Sequence, residues 1–304
     1  ALSSAASDVY KRQNKLSKGR IVFQIINYTV LTLLACVCLF PLINILAMSF
    51  SSASAVAGGN VSIWPVDFNL NAYEYVLRKA EFWDSLLVSV KRVLIGVPFT
   101  MLITILTAYP LSKERSQLRA RSVYAWIFFF TMLFSGGLIP TFLVVKSLGL
   151  IDTFWVMILP TAVSTWNLIM MKTFFQATPV SLLEAARIDG SSELGTLVRI
   201  VLPLSIPSIM TIGLFYAVSH WNDYFQAMIY LNTPENFPLQ IHLRDIVLQN
   251  SMEQQFASMQ QGQRQGTEGV KYATIMFATL PILCVYPFIQ KYFVKGVMLG
   301  SIKE

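Results

Sequence analysis

Apolar residues fall into six long runs separated by short polar stretches: Ile25–Met48, Leu86–Leu111, Val123–Val145, Phe154–Phe175, Leu204–Tyr230 and Tyr272–Phe293. A helix needs about 20 mostly apolar residues to cross the hydrocarbon core of a bilayer. None of the runs shows the period-two alternation of a membrane-barrel strand, so an all-α fold with six transmembrane helices is predicted. The first run is too long for a signal-peptide core and lacks a convincing small-residue cleavage site, so it is expected to remain in place.

Composition agrees with that solvent. The chain is 55% hydrophobic and 13% charged, with mean hydropathy +0.57, where a soluble domain carries about 25% charged residues. With the N-terminus inside, the cytoplasmic side holds Lys11, Arg12, Lys15, Lys18, Arg20, Lys113, Arg115, Arg119, Arg121, Lys172, Arg187, Arg199, Lys291, Lys295 and Lys303. Those are 15 of the 23 basic residues, and the positive-inside rule then predicts both termini in the cytoplasm. The net charge of +7 is mostly this topological signal and calls for no nucleic acid. The opening "ALSSAASDVYKRQ" lacks an initiator Met and is read as truncated or foreign, so residues 1–20 count only as a cytoplasmic N-terminal segment. The rest, 21–304, reads as one six-span domain. Cys36, Cys38 and Cys284 lie inside apolar runs at no metal or disulfide spacing and read as small core residues.

The polar insert between the fourth and fifth runs, 178–201, stands out. "TPVSLLEAARIDG" carries helix punctuation: Thr178 as N-cap, Pro179 at the first helical position and Gly190 as the left-handed terminator. A second short helix is expected from about Ser192 to Val201, leading into Pro203. Helix signals alone leave two readings even: a helix lying in the headgroup region, or one held in the groove of a partner through Ala185, Ala186 and the charge of Glu184.

The spacing of Glu184, Ala185, Ala186, Gly190, Ile200, Leu202 and Pro203 resembles the cytoplasmic EAA loop of permease subunits in ABC importers fed by an extracytoplasmic binding protein. "WPVDFNLNAYEYVL", "SGGLIPTFLVVKSLGLIDTFWVMILP" and "YPFIQKYFVKGVMLGSIKE" resemble carbohydrate permeases of the maltose-importer type. Within that type they resemble most the branch for complex oligosaccharides that includes the alginate importer. The resemblance implies a six-helix permease whose loop is a coupling helix seated on an ATPase subunit. It further implies a second similar permease, two ATPase subunits that bind ATP and Mg, a solute-binding protein and a bacterial inner-membrane location. No cofactor or metal is expected in this chain.

Polar groups inside membrane spans are costly and usually face a bundle interior or a cavity. The fifth run is densest in them: Tyr216, His220 and Tyr224 recur at helical spacing, as do Ser219 and Asp223, with Gln226 beyond. Trp166 and Asn167 add an aromatic and an amide from the fourth run. Aromatic faces beside hydroxyl, amide and carboxylate groups suit a sugar; the alternative is that they only bond neighbouring helices. Lys172 reads as snorkelling to the inner face. Lys91 and Arg92 sit inside the second run, either snorkelling outward or forming a cationic wall for an acidic sugar. The outer segment Leu231–Lys271, with "EQQFASMQQGQRQGTEG", reads as a long flexible loop.

Two histidines exclude H-E-x-x-H chemistry, and neither a nucleophile elbow nor a phosphate loop occurs. Energy for uphill transport must therefore come from another chain or from an ion gradient. A self-sufficient secondary transporter is the rival reading; internal repeats, which such folds often show, are not evident. An intramembrane enzyme would lack any recognisable catalytic set.

Overall fold

The computed structural model describes residues 18–248 and 268–301, without the side chains of residue 268 and of 288–301. Nine helices organise the account: α1 Lys18–Ser49, α2 Ala80–Ser112, α3 Arg121–Leu133, α4 Leu138–Ser147, α5 Thr165–Gln176, α6 Val180–Ile188, α7 Ile206–Asn222, α8 Phe225–Tyr230 and α9 Glu268–Ser301. Three are long and apolar enough to cross a membrane, α1, α2 and α9, and the number rises to six if each of three bent pairs counts as one span.

The bends correct the expectation of six unbroken spans. α3 and α4 meet at 118°, across Ser135, Gly136 and Gly137, with Gly137 at φ 86°. The fourth span begins as 3-10 turns over Phe154–Met157 and Leu159–Thr161 and turns 58° into α5. The fifth turns 84° between Glu193–Leu204 and α7, around Ser205 and flanked by Pro203 and Pro207. Paired glycines and prolines are ordinary causes of such kinks, because each removes a constraint or a ladder hydrogen bond. A second break in the fifth span falls at Asp223, where α7 ends in extended backbone.

The described residues divide into two compact units. In the first, 18–72 with 268–273, α1 is almost wholly exposed: 6% of its apolar window is buried. Its end is better held. Ala47, Ala55, Val56 and Val61 form a small core, and Ser51 donates to Ala47 O while accepting from the Val66 amide.

In the second, 73–248 with 274–301, α2 is the central rod and packs against α5 and α7. Its buried face repeats every three or four residues: Ser85, Ser89, Arg92, Gly96, Thr100, Thr104 and Ala108. Lipid tails are as apolar as leucine, so helices in a membrane associate through close packing and hydrogen bonds, and small residues permit the approach. Gly96 is required at one such point: a Cβ there would lie 3.0 Å from Nε2 of His220 on α7. Towards one end Met101, Ala108 and Leu111 pack with Leu168, Met171 and Phe175 of α5 and Ile212 of α7. Trp221 of α7 donates through Nε1 to Ala278 O of α9 at 3.0 Å.

Cys36, Cys38 and Cys284 are exposed, which corrects their reading as core residues; they lie on outward faces of α1 and α9. Of the expected flexible loop, 249–267 lies outside the described residues. The part at 231–248 is folded: Leu239 and Ile241 are buried, and the Leu239 amide donates to Ser89 Oγ at 2.8 Å. Asp152, at φ 59°, accepts from the amides of Asn232 and Thr233 and from the Thr233 hydroxyl. These bonds, led by the Thr233 hydroxyl, hold its carboxyl below the usual carboxylate range.

Candidate functional site: a polar cavity and an exposed loop helix

A cavity of about 550 Å³ opens between the start of α5 and the face of α7, within the usual range for small-molecule sites. It is lined by Trp166, Asn167, Tyr216, Ser219 and His220, together with Pro160, Thr161, Val163, Ser164 and Phe215. Five of the nine residues expected along a substrate path therefore meet here. Tyr216 fixes one wall: its hydroxyl shares a 2.7 Å hydrogen bond with Thr104 of α2 and accepts from the Ser164 amide at 3.3 Å. Ser164 in turn caps α5 by accepting from the Asn167 amide. Trp166 is 60% exposed, presenting its ring, whereas Asn167 is buried. His220 lines the cavity, while its Nε2 is buried, faces Gly96 of α2 and has no hydrogen-bond partner among the described residues.

The other four do not join this cavity. Tyr224 was expected on the stripe of Tyr216 and His220, but α7 stops at Asn222, so Tyr224 lies past the break and is exposed. Arg92 neither snorkels nor forms a free cationic wall. It is 1% exposed and pairs with Asp223 at 2.5 Å. It also donates to Asp223 O at 2.8 Å and Met157 O at 2.9 Å. Both carbonyls belong to interrupted helices, whose unmatched backbone groups need partners in a membrane. Asp223 caps α8 from its other oxygen, accepting from the Phe225 and Gln226 amides. Arg92 and Asp223 thus repair helix breaks in two spans and neutralise each other. Adjacent Lys91 points elsewhere, exposed, into a second cavity of about 460 Å³ with Asp84, Glu235 and Asn236.

At the polar loop, α6 starts at Val180, with Pro179 in the cap position and no side-chain cap. Thr178 is therefore not the N-cap, a correction: the rigid proline that follows takes the boundary residue's place. The far end agrees with expectation. Gly190 has φ 74°, and the Ser191 amide reaches back to Ala186 O at 2.9 Å, a left-handed helix stop. The second helix begins after Ser192, whose hydroxyl accepts from the Gly195 amide. It is not uniform: Glu193–Thr196 is α, and Leu197–Val201 is a π turn.

The face that α6 turns inward carries Ala186, 5% exposed, and Leu183, packed against the core. The outward face carries Glu184 and Ala185, and exposed apolar residues surround them: Val180 58%, Ile188 86%, Leu194 66% and Val198 58% exposed. Farther on, Ile200 and Leu202 are half-buried and Pro203 is exposed. Leu197 and Val201, which the sequence reading passed over, are the buried anchors of this segment. Glu193 was passed over too, although a polar residue directly after an N-cap serine was a visible signal. Its carboxylate is held low chiefly by a hydrogen bond from Lys113, against an opposing effect of burial.

Comparison with known proteins agrees with this architecture. Residues 77–299 match the family described as binding-protein-dependent transport system inner membrane component. The chain is 46% identical over 94% of its length to the polygalacturonan/rhamnogalacturonan transport system permease protein YtcP of Bacillus subtilis (strain 168), covering 99% of that protein. It is 42% identical, over 94% of its length and 97% of the relative's, to protein LplC of the same organism. Among solved structures, a bacterial ABC transporter involved in the import of the acidic polysaccharide alginate contains a chain with a TM-score of 0.81 and 36% identity, covering 91% of this chain and 99% of that one. The all-helical, multi-pass fold is thus that of an ABC importer permease, a subunit that is not itself an enzyme. The chain belongs to the family of inner-membrane components of binding-protein-dependent transport systems.

Proposed function

We propose that this chain carries oligosaccharides, acidic ones included, across the membrane as one half of an ATP-driven importer. Residues 178–203 are its coupling loop, and both termini face the cytoplasm. The observation that carries the reading is the loop helix α6, whose Val180 and Ile188 are exposed beside Glu184, in a chain with no phosphate loop of its own. Exposed apolar groups clustered at a defined helix mark a partner surface. The partner here is an ATPase subunit, which supplies ATP and Mg; two such subunits, a second permease and a solute-binding protein complete the assembly. Family membership favours this reading over an ion-driven transporter working alone.

The cavity supports a sugar as cargo. Trp166 and Tyr216 offer aromatic faces for sugar CH groups, while Asn167, Ser219 and His220 offer hydrogen bonds to its hydroxyls. The named substrates of YtcP are polygalacturonan and rhamnogalacturonan, and that of the solved importer is the acidic polysaccharide alginate. Of the two cations in the second apolar run, Arg92 is paired and Lys91 is the one left to face an acidic sugar, from the second cavity.

The test uses the assembled complex in proteoliposomes. Glu184→Ala combined with Gly190→Val is expected to abolish substrate-stimulated ATP hydrolysis while the complex still assembles, since a β-branched residue at positive φ costs about 1–2 kcal/mol. Wild-type stimulation in that variant would rule the coupling loop out. Lys91→Gln is expected to slow uptake of uronate oligomers more than of neutral ones, because a charge acts strongly on an anion and weakly on a neutral ligand. Equal slowing would remove the acidic preference.

A further inference from the structure

Besides its short connection to α5 and the packing of Leu183 and Ala186 on the core, α6 is joined to the rest of the chain on its C-terminal side by two routes, and they differ in stiffness. The covalent route runs through the π turn Leu197–Val201 and then through the 84° bend into α7. Single π turns inside helices are frequent at functional sites, and the prolines at 203 and 207 remove ladder hydrogen bonds on both sides of the bend. A displacement of α6 is absorbed along this path rather than passed on.

The second route is non-covalent and ends on α2. Glu193 Oε2 accepts from Lys113 Nζ at 2.6 Å and from the Tyr109 hydroxyl at 2.8 Å. Lys113 also donates to the Tyr109 oxygen at 2.7 Å and lies 4.2 Å from the centre of that ring. The other oxygen of Glu193 is 3.7 Å from Arg187 of α6. Arg121 closes the set by donating to Lys113 O at 2.6 Å. An isolated exposed ion pair contributes little, but here one carboxylate gathers three partners, buried Tyr109 on α2, Lys113 at the C-terminal cap of α2, and Arg187. From Tyr109 to Thr104 is five residues, about 7.5 Å along a helix, and Thr104 holds the Tyr216 wall of the cavity.

We propose that Glu193 is a positioning residue that ties α6 to α2, so that a push on α6 reaches the cavity wall at Tyr216 through α2 and not through the bent connection into α7. This rests on the reading of 178–203 as the coupling loop. Glu193 touches neither cargo nor nucleotide; it sets which spanning helix the loop moves. Its carboxylate, held low by Lys113, is charged at neutral pH, so the tie is ionic whenever the protein works.

A charge swap tests the proposal in the assembled complex, reading sugar transported per ATP hydrolysed. Glu193→Ala and Lys113→Glu are each expected to lower that ratio by about fivefold or more, the lower end of typical allosteric couplings. Lys113→Glu with Glu193→Lys together is expected to return it to within about twofold of wild type, since contacting residues compensate where independent ones add. An unchanged ratio in Glu193→Ala, or a swap no better than either single change, overturns the tie. Amide exchange on the full chain in lipid nanodiscs supplies a second readout that needs no transport. Exchange over 193–201 is expected to speed up in Glu193→Ala and to recover in the swap. Unchanged exchange overturns the tie whether or not the complex imports sugar. Faster exchange alongside a wild-type complex without ATP-driven uptake upholds the tie and removes the importer reading instead.

Discussion

Two ion pairs anchor on α2, one at Arg92 within the helix and one at Lys113 at its C-terminal cap, and the two are built for different work. Arg92–Asp223 is enclosed, 1% and 23% exposed, and spends its remaining hydrogen bonds on the carbonyls of Asp223 and Met157. Lys113–Glu193 stands at the helix terminus, 12% and 62% exposed, and touches only side chains. The first pair cannot open without stranding a charge and two helix ends in a water-poor interior. The second can open and close against solvent at small cost. Burial, not the chemistry of the pair, separates a fixed rivet from a movable contact.

The sharpest way to break that contrast is to remove one partner of the enclosed pair. Asp223→Ala leaves Arg92 buried without a counter-charge and is expected to cost about 3–5 kcal/mol. Thermal unfolding of the purified chain in detergent reads it, and a midpoint equal to wild type would dissolve the distinction. Next in size is Gly96→Leu, which drives a side chain into the His220 ring 3.0 Å from the Cβ position. About 1–3 kcal/mol of overpacking is expected, and trimming His220 to Ala in the same chain should return part of it.

At the exposed pair, Lys113→Ala is expected to change stability by less than about 1 kcal/mol while transport per ATP falls. Loss of stability comparable to Asp223→Ala would place both pairs in one class. The smallest effect concerns Asp152, a half-buried carboxylate whose pKa is depressed on folding, first by the Thr233 hydroxyl and then by two amides. A depressed pKa means stability that is full above the ordinary carboxylate range and is lost as pH falls through the folded value. Asp152→Asn should therefore flatten the acid limb of a stability-against-pH profile by lowering stability at neutral pH, while leaving strongly acidic pH nearly unmoved.

The same contrast explains what could be read in the sequence. Hydropathy is a local sum, so all six apolar runs were legible, and so was Gly190, whose turn chemistry is written in its neighbours. The bends were not, because leucines and phenylalanines continue through them. "SGG" at Ser135–Gly137 and the prolines at 203 and 207 were the overt signals. Arg92 looked like an exposed cation because its partner lies 131 residues away, beyond any periodicity. The small-residue stripe from Ser85 to Ala108 was visible in spacing, yet only the packed helices show that Gly96 yields room for His220. The cavity residues Trp166, Asn167, Tyr216, Ser219 and His220 were legible as polar groups in apolar runs. Tyr224 was lost to a helix end that Asp223 imposes.

The separation of Arg92 from Asp223 also has a consequence for biogenesis. Synthesis at about 5–20 residues per second puts roughly 7–26 s between the emergence of the arginine and that of its counter-charge, 131 residues later. Throughout that interval α2 must reside at the translocon or in lipid with an unmatched guanidinium, a burden of about 2.5–3.5 kcal/mol at a helix centre. Its long apolar remainder from Val93 to Leu111 is what allows it to wait. Nascent chains arrested before residue 223 should accordingly keep α2 accessible from the aqueous side near Arg92, and chains arrested well beyond it should not. Cysteine labelling at successive arrest points would time the moment at which the rivet closes.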